Sequence, residues 1–264
     1  MEKFSTNQFA LVTGASAGIG KQLAIEFAKR HFNLFLVSLP NTGLENLAEE
    51  LQVKYPVKVH SLALNLTQQD APKEVYRYAQ KRNMAVNILA NNAGVGFNGK
   101  FENLSVELID EMILLNVRAS TLLTFLFLPE MKKMEKAYIL NISSFAALTP
   151  LPNKCVYAAT KTYLLFLTQA INMELKGTNV RALSVHPSGV SSERAIENIR
   201  KSSAMARIST LKPDDVARLA VENMLDGKKF IVPGTVTKIY YFLGSILPHF
   251  LVLRAVSRVF RKTT

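Results

Sequence analysis

Seven short apolar runs, set along the whole chain and separated by helix-period segments, constrain this sequence more than any other feature. They are FALVT (9–13), LFLVS (34–38), VKVHSLAL (57–64), VNILA (86–90), AYILNIS (137–143), VRALSVH (180–186) and KFIV (229–232). Most are continuous in apolar residues rather than alternating, as strands buried on both faces require. Between them lie amphipathic stretches such as IGKQLAIEFAKRH and PDDVARLAVENML, the second opening on Pro213 and two aspartates. Such alternation builds βαβ units, so the expected fold class is α/β, one doubly wound parallel sheet with helices on both faces. The polar, poorly periodic segment 190–212 reads as a loop or lid.

The chain has 264 residues, 48% of them hydrophobic, enough apolar mass for one large core. The sheet fills residues 1–236, and 237–264 reads as a hydrophobic, basic extension. The single cysteine, Cys155, allows no intramolecular disulfide in a protein of a reducing compartment; it is read as a small buried hydrophobe, with a pocket-lining residue as the alternative. The N-terminus lacks the pattern of a secretory leader, and the expected location is cytoplasmic. A net charge of +12 raises the question of a polyanionic partner. The basic residues are dispersed, with no finger, basic-zipper or RNP-type motif, so nucleic acid is not expected. His60, His186 and His249 have no Cys, Asp or Glu at ligand spacing, and no metal is expected either.

TGASAGIG (13–20) joins the first run to the first helix. Gly14, Gly18 and Gly20 let the backbone turn tightly and approach a pyrophosphate seated on the helix N-terminus, the mark of a Rossmann-type dinucleotide site. Ser16 and Ile19 belong to the same turn. An acidic residue is expected about 20 residues further on in an NAD binder. Ser38 stands there instead, and no acid precedes Glu45. A carboxylate would repel a 2′-phosphate, so the reading favours NADP over NAD, with Ser16 and Ser38 as hydrogen-bond donors to the phosphate. Leu39 occupies the place where a phosphate-binding arginine would help.

Further along come NNAG (91–94), Asn116 in a helix, NISS (141–144) and YAATK (157–161). This ordered set resembles the short-chain dehydrogenase/reductase family over about residues 8–235, and most closely its lipid- and steroid-related carbonyl reductases. The resemblance implies a catalytic pair at Tyr157 and Lys161, a third role for Ser144, thirteen residues before the tyrosine, and a fourth for Asn116. Ser143 would then be a structural neighbour. Asn92, Ala93 and Gly94 would line the cofactor, as would Asn65 and Leu66 beside the adenine, and Pro187, Gly189 and Val190 in the HPSGV turn beside the nicotinamide. Asn65 replaces the family's usual Asp, and Ser188 separates Pro187 from Gly189, which are usually adjacent.

The chemistry accounts for these residue types. Hydride transfer to a carbonyl leaves charge on oxygen, and a proton donor must neutralise it. A free tyrosine, with its pKa near 10, is a poor donor and acceptor at neutral pH. A lysine cation four residues away shares its helix face and favours the phenolate. Ser144 would hydrogen-bond the substrate oxygen, a fixed dipole where charge develops. Asn116 would hold a water connecting Lys161 to solvent. The expected activity is NAD(P)-dependent interconversion of a carbonyl and a secondary alcohol. Phe97, Phe145, Leu148 and Leu151 suggest a small hydrophobic substrate. The alternative is a nucleotide-binding protein that senses cofactor without turnover.

The tail IYYFLGSILPHFLVL (239–253) carries no formal charge at neutral His and precedes Arg254, Arg258, Arg261 and Lys262. It is shorter than the roughly 20 residues of a spanning helix, and Pro248 interrupts it. Two readings stand. It packs on the domain, at a homo-oligomer interface or the substrate pocket. Or it makes peripheral membrane contact through 239–262, with its apolar residues in the acyl boundary and its cations on anionic head groups.

Overall fold

The computed structural model describes residues 7–191, 210–248, 250–254 and 256. Seven parallel strands lie in the order β3-β2-β1-β4-β5-β6-β7. They are β1 (Gln8–Thr13), β2 (Asn33–Ser38), β3 (Val59–Ala63), β4 (Ala85–Asn91), β5 (Ala137–Ile142), β6 (Val180–Val185) and β7 (Phe230–Ile231). All seven apolar runs are strands, within a residue or two at their ends. The segment 190–212 lies mostly outside the described residues; at its margins Val190 and Leu211 form an isolated parallel bridge.

The central strands divide their side chains between two cores by simple alternation. Ala10 and Val12 of β1 face one cluster, with Leu34, Leu36, Ile88 and Leu140. Against it pack α1 (Gly18–Lys29), through Leu23, Ala24 and Phe27, and α7 (Pro213–Leu225), through Val216, Ala220 and Val221. α2 (Leu44–Lys54) adds Leu44, Leu47 and Leu51. Phe9 and Leu11 face the opposite cluster, with Phe35, Val37, Leu89 and Ile139. α3 (Ala71–Lys81) covers it with Val75 and Ala79, and α5 (Ser120–Met131) with Leu123, Phe127 and Met131. Pro213 and the acids Asp214 and Asp215 fall in the first turn of α7, where a missing N–H costs nothing and the helix dipole favours negative charge.

α4 (Val106–Met112) runs through a π-helical segment (Ile113–Ala119) into α5. Val106–Met131 is the one stretch among the described residues long and apolar enough to cross a membrane. Its α5 portion nevertheless packs on β4 and β5, the position of a core helix. α6 (Cys155–Glu174) follows β5, and α8 (Thr235–Ile246) begins the tail. Pro248 does end that helix. Leu247 before it is extended (φ −75°, ψ 143°), as steric clash with a following proline requires, and the chain is helical again at 250–254.

The strand order reverses between β1 and β4, so the loops leaving their carboxyl ends diverge and open a crevice. TGASAGIG leaves β1 there and NNAG leaves β4.

Candidate active site

The glycine loop is closed by side chains from β1 and from the loop after β4. Asn92 donates through Nδ2 to the carbonyls of Thr13 (2.8 Å) and Gly14 (3.2 Å). Thr13 Oγ1 accepts from the backbone N–H groups of Asn92 and Ala93, both at 3.0 Å, and donates to the Ala90 carbonyl. Gly14 (φ 64°) and Gly18 (φ 55°) occupy the left-handed region that favours glycine. At Gly20 the demand is for space, since a Cβ would lie 2.1 Å from the Gly14 carbonyl oxygen. The result is a small-residue cradle at the start of α1, which fits a dinucleotide pyrophosphate. Thr13 went unread in the sequence, although a polar residue closing an apolar strand was the available signal.

Ser16 and Ser38 meet at the rim of this cradle, Oγ to Oγ at 2.8 Å. One hydrogen is shared between them, so their hydroxyls already form one polar unit where the ribose would lie. Asn65 Oδ1 accepts from both the backbone N–H (3.0 Å) and the hydroxyl (2.9 Å) of Thr67. Its oxygen is thereby engaged, and the amide NH2 is the group left to face an adenine. Leu66 beside it is buried.

The three residues expected to do chemistry converge at the carboxyl end of β5. Ser144 follows that strand in extended backbone, and its Oγ accepts from Ala146 N–H (3.1 Å). Tyr157 and Lys161 sit one turn apart on α6, facing inward. The Tyr157 ring packs so closely on Gly96 that a Cβ there would lie 2.9 Å from Tyr157 Cδ2. Lys161 Nζ is 5.9 Å from the Tyr157 ring centroid and donates to the Ile142 carbonyl (3.0 Å). Ser143 donates to the Lys161 carbonyl (2.8 Å), the structural part expected of it.

Burial dominates the electrostatics. It lowers Lys161 from the ordinary lysine range to about 8. It also raises the Tyr157 phenol, an effect that the Ser144 hydrogen bond only partly offsets. The downward pull expected from the lysine cation is therefore not the leading effect here. Desolvation of both groups is the leading cause.

Asn116 is fully buried in the π segment. Its Oδ1 accepts from Val95 N–H (2.9 Å), and its Nδ2 donates to the Val95 carbonyl (2.8 Å) and to Thr160 Oγ1 (3.0 Å). Both amide hydrogens are used, so the side chain keeps no donor for a water. It pins the loop after β4 against α6. A Cβ at Gly94 would meet both Asn116 Oδ1 (3.0 Å) and Lys161 Nζ (3.1 Å), so a side chain there would enter the space beside the lysine.

The HPSGV turn closes the far side. Pro187 accepts through its carbonyl from Phe145 N–H (2.8 Å), and Gly189 from Leu211 N–H (2.9 Å). Thr237 of α8 donates to Ser188 Oγ (3.2 Å), which gives the inserted serine a structural use and draws the helix across the 236/237 boundary onto the domain. Leu148 and Leu151 line an open groove of about 650 Å³ with Pro150, Phe166, Leu253 and Val256. Phe97 lies apart from it, against Tyr157 and Met112. Cys155 is exposed, which corrects its reading as a buried hydrophobe: it is the first residue of α6 and lines the groove with Leu148 and Leu151.

The short chain dehydrogenase family profile matches residues 8–203. The chain belongs to that family. The very-long-chain 3-oxoacyl-CoA reductase of Macaca fascicularis is 32% identical over 198 residues, 74% of this chain and 62% of that protein. The chain thus spans less than two thirds of that relative's length. A Sphingobium yanoikuyae short-chain dehydrogenase in complex with NADPH superposes with a TM-score of 0.77 at 26% identity, covering 91% of this chain and 96% of that one. The Brucella melitensis 3-ketoacyl-(acyl-carrier-protein) reductase complexed with NADH gives 0.75 at 27% identity, covering 86% and 96%. The neighbours therefore include complexes with both forms of the cofactor, and the fold is one that binds NAD(P).

Proposed function

We propose that this short-chain dehydrogenase reduces the carbonyl of a hydrophobic, acyl-chain-bearing substrate with NADPH. The observation that carries the reading is the convergence of Ser144, Tyr157 and the buried Lys161 at the crevice, with Lys161 Nζ 5.9 Å from the Tyr157 ring centroid and bonded to the Ile142 carbonyl at the end of β5. The nicotinamide cofactor, when bound, supplies the hydride. Gly14, Gly18 and Gly20 admit its pyrophosphate, and Asn92, Ala93 and Gly94 wall the crevice. Tyr157 passes its hydroxyl proton to the substrate oxygen, and the Lys161 cation, already desolvated, stabilises the phenolate left behind. Ser144 holds the oxygen in line for that transfer. Asn116 acts by position: it fixes Thr160, whose hydroxyl donates to the Tyr157 carbonyl (2.7 Å).

The Ser16–Ser38 pair supports NADP over NAD, because two hydroxyls accept a 2′-phosphate without repulsion. The apolar groove beside Leu148 and Leu151 supports a hydrocarbon-bearing substrate, in keeping with the reductases named above. Phe125 and Phe166, 71% and 63% exposed on neighbouring helices, support a homo-oligomer. On α8 and the turn beyond, Phe242, Ile246, Leu247 and Phe250 are exposed with no acidic residue nearby in sequence. Apolar faces rimmed by Lys238 and Arg254 suit an anionic membrane surface better than bulk water.

The test is NADPH and NADH oxidation against 3-oxoacyl thioesters and simple ketones of rising chain length. The reading expects NADPH and the longer chains to give the higher kcat/KM, and Ser38→Asp to move the preference towards NADH. Equal use of both cofactors and no dependence on chain length would contradict it.

A further inference from the structure

His186 is fully buried beside the catalytic cluster and has no part in the chemistry described above. Its Nδ1 lies 3.1 Å from the Ser144 carbonyl oxygen and its Nε2 3.1 Å from Ser184 Oγ. A carbonyl oxygen can only accept, so Nδ1 carries the hydrogen and Nε2 accepts from the serine. Burial keeps the ring neutral and holds its pKa down at about 4, and the Lys161 cation pushes the same way. The backbone on either side is tied to the sheet and to the catalytic loop. His186 N–H donates to the Ile231 carbonyl (2.9 Å), and Phe145 N–H, next to Ser144, donates to the Pro187 carbonyl.

The imidazole packs on β7, and β7 packs on the tail helix. The Phe230 ring is 4.7 Å from the imidazole, centroid to centroid, and Tyr241 of α8 is 5.3 Å from Phe230. The Thr237–Ser188 bond joins the same helix to the same turn. A continuous run of packed groups therefore leads from the Ser144 backbone through His186 and Phe230 to α8.

Resting on the proposed role of Ser144 in holding the substrate oxygen, we propose that His186 is a positioning residue for Ser144 and that the Phe230–Tyr241 stack makes α8 part of that support. The Nδ1–H hydrogen bond sets where the Ser144 backbone sits at the end of β5, and hence where Oγ meets both substrate and Tyr157. Small displacements of a positioning group are costly to turnover, since about 1 Å of misplacement removes roughly 100-fold.

The experiment is a mutant cycle read as kcat, with NADPH affinity followed separately by fluorescence. His186→Leu should lower kcat by about tenfold or more and leave the NADPH dissociation constant within about twofold. His186→Asn, which keeps an N–H near the Nδ1 position, should recover most of that loss. Tyr241→Leu, at a partly exposed position that tolerates change, should give a smaller loss of the same kind. In a Ser144→Ala background all three losses should vanish, because residues acting through one another are not additive. Should His186→Leu prove unfolded, Tyr241→Leu carries the same comparison. Equal losses with and without Ser144, or full activity in a folded His186→Leu or Tyr241→Leu, would overturn the proposal. If Ser144→Ala alone left turnover intact, the catalytic assignment of Ser144 would fail first.

Discussion

The loop between β1 and α1 and the C-terminal helix α8 both carry glycine, and they use it in opposite ways. Gly20 is hemmed in: a Cβ would fall 2.1 Å from the Gly14 carbonyl oxygen and 2.5 Å from Asn92 Nδ2. Gly244, in α8, has nothing within 4 Å of where a Cβ would stand. Around the first, Thr13, Asn92 and Ala93 satisfy one another's hydrogen bonds, and almost every apolar side chain beneath is buried. Around the second, large apolar residues face outward, and the links to the domain include Thr237 and Tyr241. One region is defined by what it excludes. The other is defined by what it leaves uncovered.

Identical substitutions in the two places should break this symmetry most visibly. Gly20→Ala should weaken NADPH binding by about 100-fold, since the added methyl meets backbone that cannot yield cheaply. Gly244→Ala should leave cofactor binding unchanged and stabilise the fold slightly, by up to about 1 kcal/mol, through the lower conformational entropy of the unfolded chain. Fluorescence titration and thermal unfolding of the two variants measure both effects. Unaltered NADPH binding in Gly20→Ala would mean that the cradle is not closed as described.

The contrast sharpens at Lys161, the most deeply buried charge of the site. Its folded pKa, about 8, lies below the ordinary 10.5, because burial disfavours its charged form. An unfolded chain therefore binds more protons between about pH 8 and 10.5. Wild-type stability should rise with pH across that window, and the penalty should be complete below it. Lys161→Met should accordingly raise the melting temperature most below pH 8, by the equivalent of at most about 3 kcal/mol, with the gain shrinking as pH approaches 10.5. Turnover should be lost at every pH. A destabilised Lys161→Met at neutral pH would show that the Ile142 hydrogen bond outweighs desolvation.

The smallest effect on catalysis, and the largest on location, is expected at the tail. The full chain should sediment with anionic vesicles at low salt and be released as salt rises, since attraction of about 1 kcal/mol per surface cation is screened. A chain ending after Leu247 keeps Thr237 and Tyr241, and should stay soluble in the same assay while retaining turnover on short substrates. Full-length protein that remains in the supernatant while forming a tight dimer would assign the tail to an interface between copies.

Much of this was legible in the sequence because the signals are local. Continuous apolar runs mark doubly buried strands, and all seven were placed. Gly14, Gly18 and Gly20 were legible because only glycine fits a turn of that shape. What escaped depended on packing between distant segments. The partners that fix the Asn116 side chain, Val95 and Thr160, are 21 residues before it and 44 after it. The shift of Tyr157 was misjudged because spacing along a helix shows proximity to Lys161 but not the depth at which both are buried. Cys155 was misread because apolar neighbours in sequence do not say which helix face a residue takes. His186 offered no signal beyond being polar in a turn, and its meaning came from Ser144 and Phe230, each more than 40 residues away.

The central claim is that Tyr157 donates the proton within a cluster that also contains Ser144 and Lys161. It is tested most directly by single-turnover oxidation of bound NADPH by the wild type and by Tyr157→Phe, with the preferred carbonyl in excess. The account predicts that the phenylalanine variant binds NADPH as tightly as the wild type, melts within a few degrees of it, and transfers hydride about 100-fold to 10,000-fold more slowly. Retention of most of the wild-type rate by a folded, NADPH-loaded Tyr157→Phe would contradict it.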